Sequence, residues 1–177
     1  LDSLFDRLYE QYHQSLFQFI FYMVRNRETA EEIVQEVYIK VLQSYDSFAG
    51  NSSEKTWLFS IARHTTIDWI RKQNRQKRRW FGGESSIENE VIRDHALLPE
   101  EIVTQRDEIR QIYKGLQQCS LAQQQVMILR FIEQLSIAET ADILGWSESK
   151  VKTTQHRAIK TLQQLIAEPT LHRVKEG

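Results

Sequence analysis

Apolar residues recur at spacings of three and four along most of this chain, a period that a helix satisfies and a strand does not. Phe5, Leu8, Tyr9, Tyr12, Leu16, Phe19, Ile20 and Met23 draw one stripe over residues 4–24. A second stripe runs Ile33, Val34, Val37, Tyr38, Val41, Leu42, and a third runs Leu58, Ile61, Ala62, Thr65, Trp69. Composition agrees with this pattern. The 177 residues include two prolines and six glycines, too few for the turns of a β-sandwich. The expected fold class is all-α.

Local signals divide the stripes. Thr29-Ala30-Glu31-Glu32 reads as a capping box that opens the second helix, with Glu32 reaching back to the cap. Residues 46–53 are rich in turn formers and read as a loop, and the third helix ends in a basic run to Arg79. Gly82-Gly83, paired serines, clustered acids and Pro99 then mark a linker, with room for a short helix near 87–92. Further helices are expected over 102–116, 122–132, 136–144 and 147–166. The division that results is a helical domain over 1–79, an acidic linker over 80–103, a second helical domain over 104–168 and a tail over 169–177. Domains of this size bury a modest share of their surface, so each half should be only modestly stable alone.

The formal net charge of –1 conceals strong segregation. Arg71, Lys72, Arg75, Lys77, Arg78 and Arg79 fall in one stretch without an acid, and Lys150, Lys152, Arg157 and Lys160 in another. Between them, residues 82–108 carry eight acids against Arg93 and Arg106. Phosphate binding follows local charge density, so two basic patches suit nucleic acid; solvated helix faces are the plainer alternative. Other classes are excluded more firmly. His13, His64, His95, His156 and His172 are scattered, and no nucleophile triad, phosphate loop or metal-ligand spacing occurs. No catalytic residue, metal or cofactor is expected. The lone Cys119 cannot form an internal disulfide, which suits a reducing compartment. The apolar stretch of residues 16–24 is too short to span a bilayer and the first residues lack a signal-peptide pattern, so neither membrane insertion nor secretion is expected.

The strongest local motif lies between Ser136 and Lys152. Ser136 and Glu139 form a capping box, Ala141 is small where two helices cross, and Gly145 stands where a turn needs a left-handed backbone. Ser147 caps the next helix and Val151 anchors it. That spacing predicts a helix-turn-helix, with an ordinary αα-hairpin as the alternative. With Val151 inward, Ala158, Leu162 and Leu165 share its side, while Ser149, Thr153, His156 and Lys160 project outward and Lys152 and Arg157 flank them. Thr153, His156 and Arg157 are candidates for base edges; Lys150, Lys152 and Lys160 suit phosphates.

A helix-turn-helix alone leaves a repressor or a polymerase adaptor open. The N-terminal half narrows the choice. Ala30-Glu-Glu-Ile-Val-Gln-Glu-Val-Tyr38, Lys55-Thr-Trp-Leu-Phe-Ser-Ile-Ala-Arg-His64, Asp68-Trp-Ile-Arg71 and Val151-Lys-Thr-Thr-Gln-His-Arg-Ala158 occur in that order. Together they resemble the extracytoplasmic-function (ECF) branch of the sigma-70 family, and within it the SigX-like group. The resemblance covers about residues 4–166.

It implies a transcription initiation factor that binds core RNA polymerase and directs promoter recognition and strand opening for a stress or envelope regulon. Glu32, Gln35, Glu36, Ile39 and Lys40 would dock on the β′ clamp helices, and the C-terminal domain would meet the β flap. Asn51, Ser52, Lys55, Arg63, His64, Arg71, Lys72 and Arg75 would serve the melted non-template strand of the minus-ten element, including a base flipped into a pocket. Ser149, Lys150, Lys152, Thr153, His156, Arg157 and Lys160 would read the minus-thirty-five duplex. The acidic linker would thread a basic channel of the polymerase. The location implied is cytoplasmic, and the usual inhibitor is an anti-sigma factor, often membrane-anchored. Two residues depart from the family pattern: His64 stands where Asn is frequent, and Thr154 where Arg is frequent. Promoter preference therefore cannot be copied from relatives.

Overall fold

The expected stripes become helices whose ends are set by side-chain caps. The computed structural model describes residues 2–48, 50–81 and 114–167. Helix α1 spans Asp2–Val24, and its end is closed by the Arg25 amide donating to the Phe21 carbonyl at 2.7 Å, with Arg25 in the left-handed region at φ 57°. Helix α2 spans Arg27–Ser44. Its cap is Asn26, whose side chain accepts from the Thr29 amide at 2.8 Å. The capping box expected at Thr29 does not form, and a simple N-cap three residues earlier takes its place. Asn26 follows the left-handed Arg25 with an extended backbone, so it reaches the free amides first.

A 3-10 turn at Tyr45–Ser47 leads into the loop before α3, which spans Glu54–Phe81 and so runs past Arg79. The first three helices form a bundle. Phe5 meets Tyr38 edge-on at 5.4 Å, which sets α2 back along α1, and Phe19 meets Phe59 at 5.4 Å. Leu16, Phe19, Ile20, Val37, Val41, Leu58 and Phe59 are fully enclosed.

The second half enters the described residues at a helical turn over 114–116. A β-carbon on Gly115 would lie 2.7 Å from the Leu162 side chain, so a larger residue there would make that side chain shift. Helix α4 spans Leu121–Met127, opens with a Ser120–Gln123 capping box and widens into a π-type turn at Ile128–Ile132. Helix α5 spans Ile137–Leu144 and α6 spans Glu148–Ala167. Val126, Leu129, Ile143, Leu144, Val151 and Ala158 fill this interior. The helix and linker features expected over 87–92 and most of 102–116 lie outside the described residues.

The halves are not held apart as a tether alone would leave them. Helix α1 packs on α4, and α3 packs on α5. The reason lies in α1: Phe19 to Val24 is a continuous apolar run, and a helix apolar on every side must be covered on every side. The third side is covered by α4. The apolar core is consequently one cluster shared by both halves.

Candidate nucleic-acid and polymerase interfaces

The helix-turn-helix is built by its caps. Ser136 Oγ accepts from the Glu139 amide at 3.1 Å, and the Ser136 amide donates to the Glu139 carboxylate at 2.8 Å. The Ser136 amide, with the Ser136 hydroxyl, holds the Glu139 carboxyl below the usual glutamate range. Gly145 adopts φ 64°, ψ 36°, so the Trp146 amide can reach the Ala141 carbonyl at 3.0 Å and end α5. A β-carbon there would meet nothing within 4 Å, so the glycine is required for its backbone angle and not for space. Ser147 Oγ then accepts from the Lys150 amide at 3.2 Å and starts α6.

Val151, Ala158 and Leu162 face the core. Ser149, Lys150, Lys152, Thr153, His156, Arg157 and Lys160 are all exposed on α6, and Thr154 is half-buried. Several of them already have local partners. Thr153 donates to the Ser149 carbonyl at 2.9 Å, Lys152 lies 3.6 Å from Glu148, and the Lys150 ammonium sits 4.0 Å above the Trp146 ring. Arg130 braces the helix from behind: it donates to Gln155 at 3.0 Å and to the Leu135 carbonyl.

The second candidate face comprises the loop before α3 and the outer side of α3. Asn51, His64, Arg71, Lys72 and Arg75 are exposed, while Ser52, Lys55 and Arg63 are partly covered. His64 Nδ1 lies 2.7 Å from the Ser60 carbonyl, which can only accept. The proton therefore belongs on Nδ1 in the neutral ring, and Nε2 is left as an acceptor toward solvent. Arg71 lies 3.6 Å from Asp68. Lys55 is engaged by the other half: its ammonium donates to the Glu133 carbonyl at 2.9 Å and lies 2.8 Å from the Glu133 carboxylate. Arg63 reaches Gln125 at 3.4 Å, and the neighbouring Thr56 reaches Glu139 at 3.4 Å.

A third face lies on α2. Glu32, Gln35, Glu36 and Ile39 point outward, and Ile39 stands 55% exposed among polar neighbours. Lys40 is less available, since it pairs with Glu36 at 2.7 Å and donates to Thr65 on α3 at 3.1 Å.

Three outward faces on two helical units, one of them a helix-turn-helix, restrict the choice of relatives. A model described as sigma-70 region 2 matches residues 8–76, and one described as sigma-70 region 4 matches residues 109–162. The ECF RNA polymerase sigma factor SigX of Bacillus subtilis is 51% identical over 164 residues, 93% of this chain and 84% of that protein. The chain belongs to the ECF branch of the sigma-70 family. The sigma factor YlaC of the same organism is 36% identical over 157 residues, 89% of this chain and 88% of that one. Among solved structures, the sigma factor RpoE of Bartonella quintana, crystallised with the anti-sigma factor NepR, shares the fold at TM-score 0.76. It is 24% identical, with 94% of this chain and 98% of that one covered. Members of this family are transcription initiation factors and not enzymes.

In the family's terms, α1–α3 form region 2 and α4–α6 fall within region 4. Sequence reasoning missed the seam between these regions. At its centre Arg25 is 2% exposed and donates from Nη2 to Gln124 at 2.9 Å, while Gln124 donates to the Cys119 carbonyl at 2.8 Å. The Arg25 guanidinium lies 5.2 Å from the Tyr22 ring centre, and its buried Nε and Nη1 have no partner among the described residues. Burial pulls its pKa below the ordinary arginine value. The run Gln123-Gln124-Gln125 offered no signal of this seam, because glutamine on a helix is ordinarily wet. Cys119 is buried beside it, its thiol pushed up to about 11 and so unreactive.

Proposed function

We propose that this sigma factor binds core RNA polymerase and brings two nucleic-acid grips to the promoter. Region 4 would hold the minus-thirty-five element as duplex, and region 2 would capture the melted non-template strand of the minus-ten element. The observation that carries this reading is the outer face of α6: seven polar or basic side chains exposed on a helix whose start is fixed by Gly145 and Ser147. Thr153, His156 and Arg157 are assigned to base edges, and Ser149, Lys150, Lys152 and Lys160 to the backbone. Asn51, Ser52, Lys55, Arg63, His64, Arg71, Lys72 and Arg75 are assigned to the opened strand. Lys55 and Arg63 bond region 4 in the conformation described, so strand capture requires them to exchange those partners.

Glu32, Gln35, Glu36 and Ile39 are assigned to the β′ clamp helices, with Lys40 holding α2 to α3 beside them, and region 4 to the β flap. The working division is 1–79, an acidic linker over 80–103, 104–168 and a tail over 169–177. No helix among the described residues is long and apolar enough to cross a membrane. The cytoplasm, where polymerase and promoters are, is the site of action we assign. A relative in the fold comparison is a sigma factor bound to an anti-sigma factor, which supports an inhibitor of that kind here, membrane-anchored or free. The family likeness also supports a stress or envelope regulon.

Run-off transcription with core polymerase on a promoter library tests the whole reading. Core-dependent transcripts from one promoter class are expected, and their loss on replacing Thr153, His156 and Arg157 with Ala. A footprint on a palindromic operator by the protein alone, with no response to core polymerase, would overturn it in favour of a repressor. Promoter choice left unchanged by the triple substitution would favour an adaptor.

A further inference from the structure

We propose that Glu54 is the residue that positions the minus-ten reading loop, by binding the start and the end of that loop to α1 through one carboxylate. The inference rests on the assignment of that loop to the opened strand. Glu54 is the first residue of α3, immediately after the loop, and Tyr45 opens the 3-10 turn immediately before it. Arg7 on α1 donates to Glu54 from Nη1 at 2.6 Å and from Nη2 at 2.7 Å. The Tyr45 hydroxyl donates to the same carboxylate at 3.0 Å. Both ends of the loop thus meet at one acidic group held by a bidentate fork, the geometry in which arginine fixes a carboxylate in direction as well as distance.

Two further features make this a positioning device. The Tyr45 ring, oriented by its hydroxyl, packs against Trp57 at 5.9 Å and Phe48 at 6.3 Å, and Phe48 and Trp57 meet at 4.9 Å. Those rings form one aromatic cluster that ties the turn before the loop to the first turn of α3. The carboxylate also lies in the first turn of α3, where the helix dipole favours negative charge, and Arg7 holds its pKa below the usual glutamate range. Arg7 and Glu54 remain partly exposed, so the pair contributes little to global stability. Its effect lies in where it places the loop.

The test uses the full chain with core polymerase and two promoters that differ by one base in the minus-ten element. The readout is the ratio of run-off transcripts, alongside core affinity and thermal midpoint. Glu54→Gln and Arg7→Ala are each expected to reduce the native preference about fivefold, the upper range for one exposed ion pair. Core affinity and midpoint should hold. Tyr45→Phe should fall between these variants and the native protein. The Glu54→Gln/Arg7→Ala double variant should lose no more than either single one, because both remove the same constraint. A native preference that survives Glu54→Gln overturns the positioning role alone, as does an additive double variant. If the native protein shows no preference between the two promoters, the strand-reading assignment itself fails and this inference with it.

Discussion

The interior of region 2 is apolar throughout, whereas the seam against region 4 joins apolar packing of α1 on α4 to a set of polar pairs. Leu16, Phe19 and Ile20 meet Val37, Val41, Leu58 and Phe59 in a dry interior. A few residues further on, Arg25 meets Gln124, and α3 adds Lys55, Thr56 and Arg63 against Glu133, Glu139 and Gln125. Apolar surface loses its stabilisation whenever it is parted, whereas each polar pair can exchange its partner for water at a small net cost. The dry interior holds region 2 together as a unit. The seam adds exchangeable polar pairs to the apolar contacts that continue across it.

Breaking the dry interior should have the largest effect. Phe59→Ala removes a fully enclosed ring that touches Phe19, and should cost about 3–5 kcal/mol. Chemical denaturation followed by helical circular dichroism would show region 2 melting first. Breaking the seam should do less and do it differently. Lys55→Met leaves the nearly enclosed Glu133 carboxylate without its cation, at about 2 kcal/mol. Small-angle scattering should show the halves moving apart while helix content stays constant; a compact variant would mean that the seam is held by its apolar contacts. Ser136→Ala removes one end of the α5 capping box and should cost about 1 kcal/mol, confined to region 4, as amide exchange of α5 would register. The smallest effect lies outside both interiors. Lys152→Ala should leave stability unchanged and lower the salt dependence of DNA binding by about one unit of slope, measured with the polymerase complex.

The dry interior was legible in the sequence and the seam was not. A stripe such as Ile33, Val34, Val37, Tyr38 and Val41 has one reading, since spacing puts those side chains on one face and all are buried. Gly145 was legible for a similar reason, because no other residue ends a helix at that backbone angle so easily. Gln124 and Gln125 carry no such signal. A glutamine on a helix is ordinarily wet, and only the facing Arg25 and Arg63, distant in sequence, make these two buried. The apolar run Phe19 to Val24, read only as too short to span a bilayer, is covered on its third side by α4. The outward positions on α6 follow from the helix wheel once Val151 is taken as inward, and their exposure matches that wheel. The family resemblance implies that Lys55 serves the opened strand. Its engagement with Glu133 depends on how the two regions meet, which no local pattern encodes. The start of α2 misled for a smaller reason: Thr29 resembles a cap, but Asn26 stands one turn earlier and takes the role.

Arg25 gives the closed form a built-in reluctance. Its Nε and Nη1 protons are sealed away from solvent without an acceptor among the described residues, and each would find one in the first shell of water let in by separation. Shutting the molecule therefore dehydrates a cation, and opening it quenches that thirst. An aliphatic side chain at this point would weld the two regions more firmly.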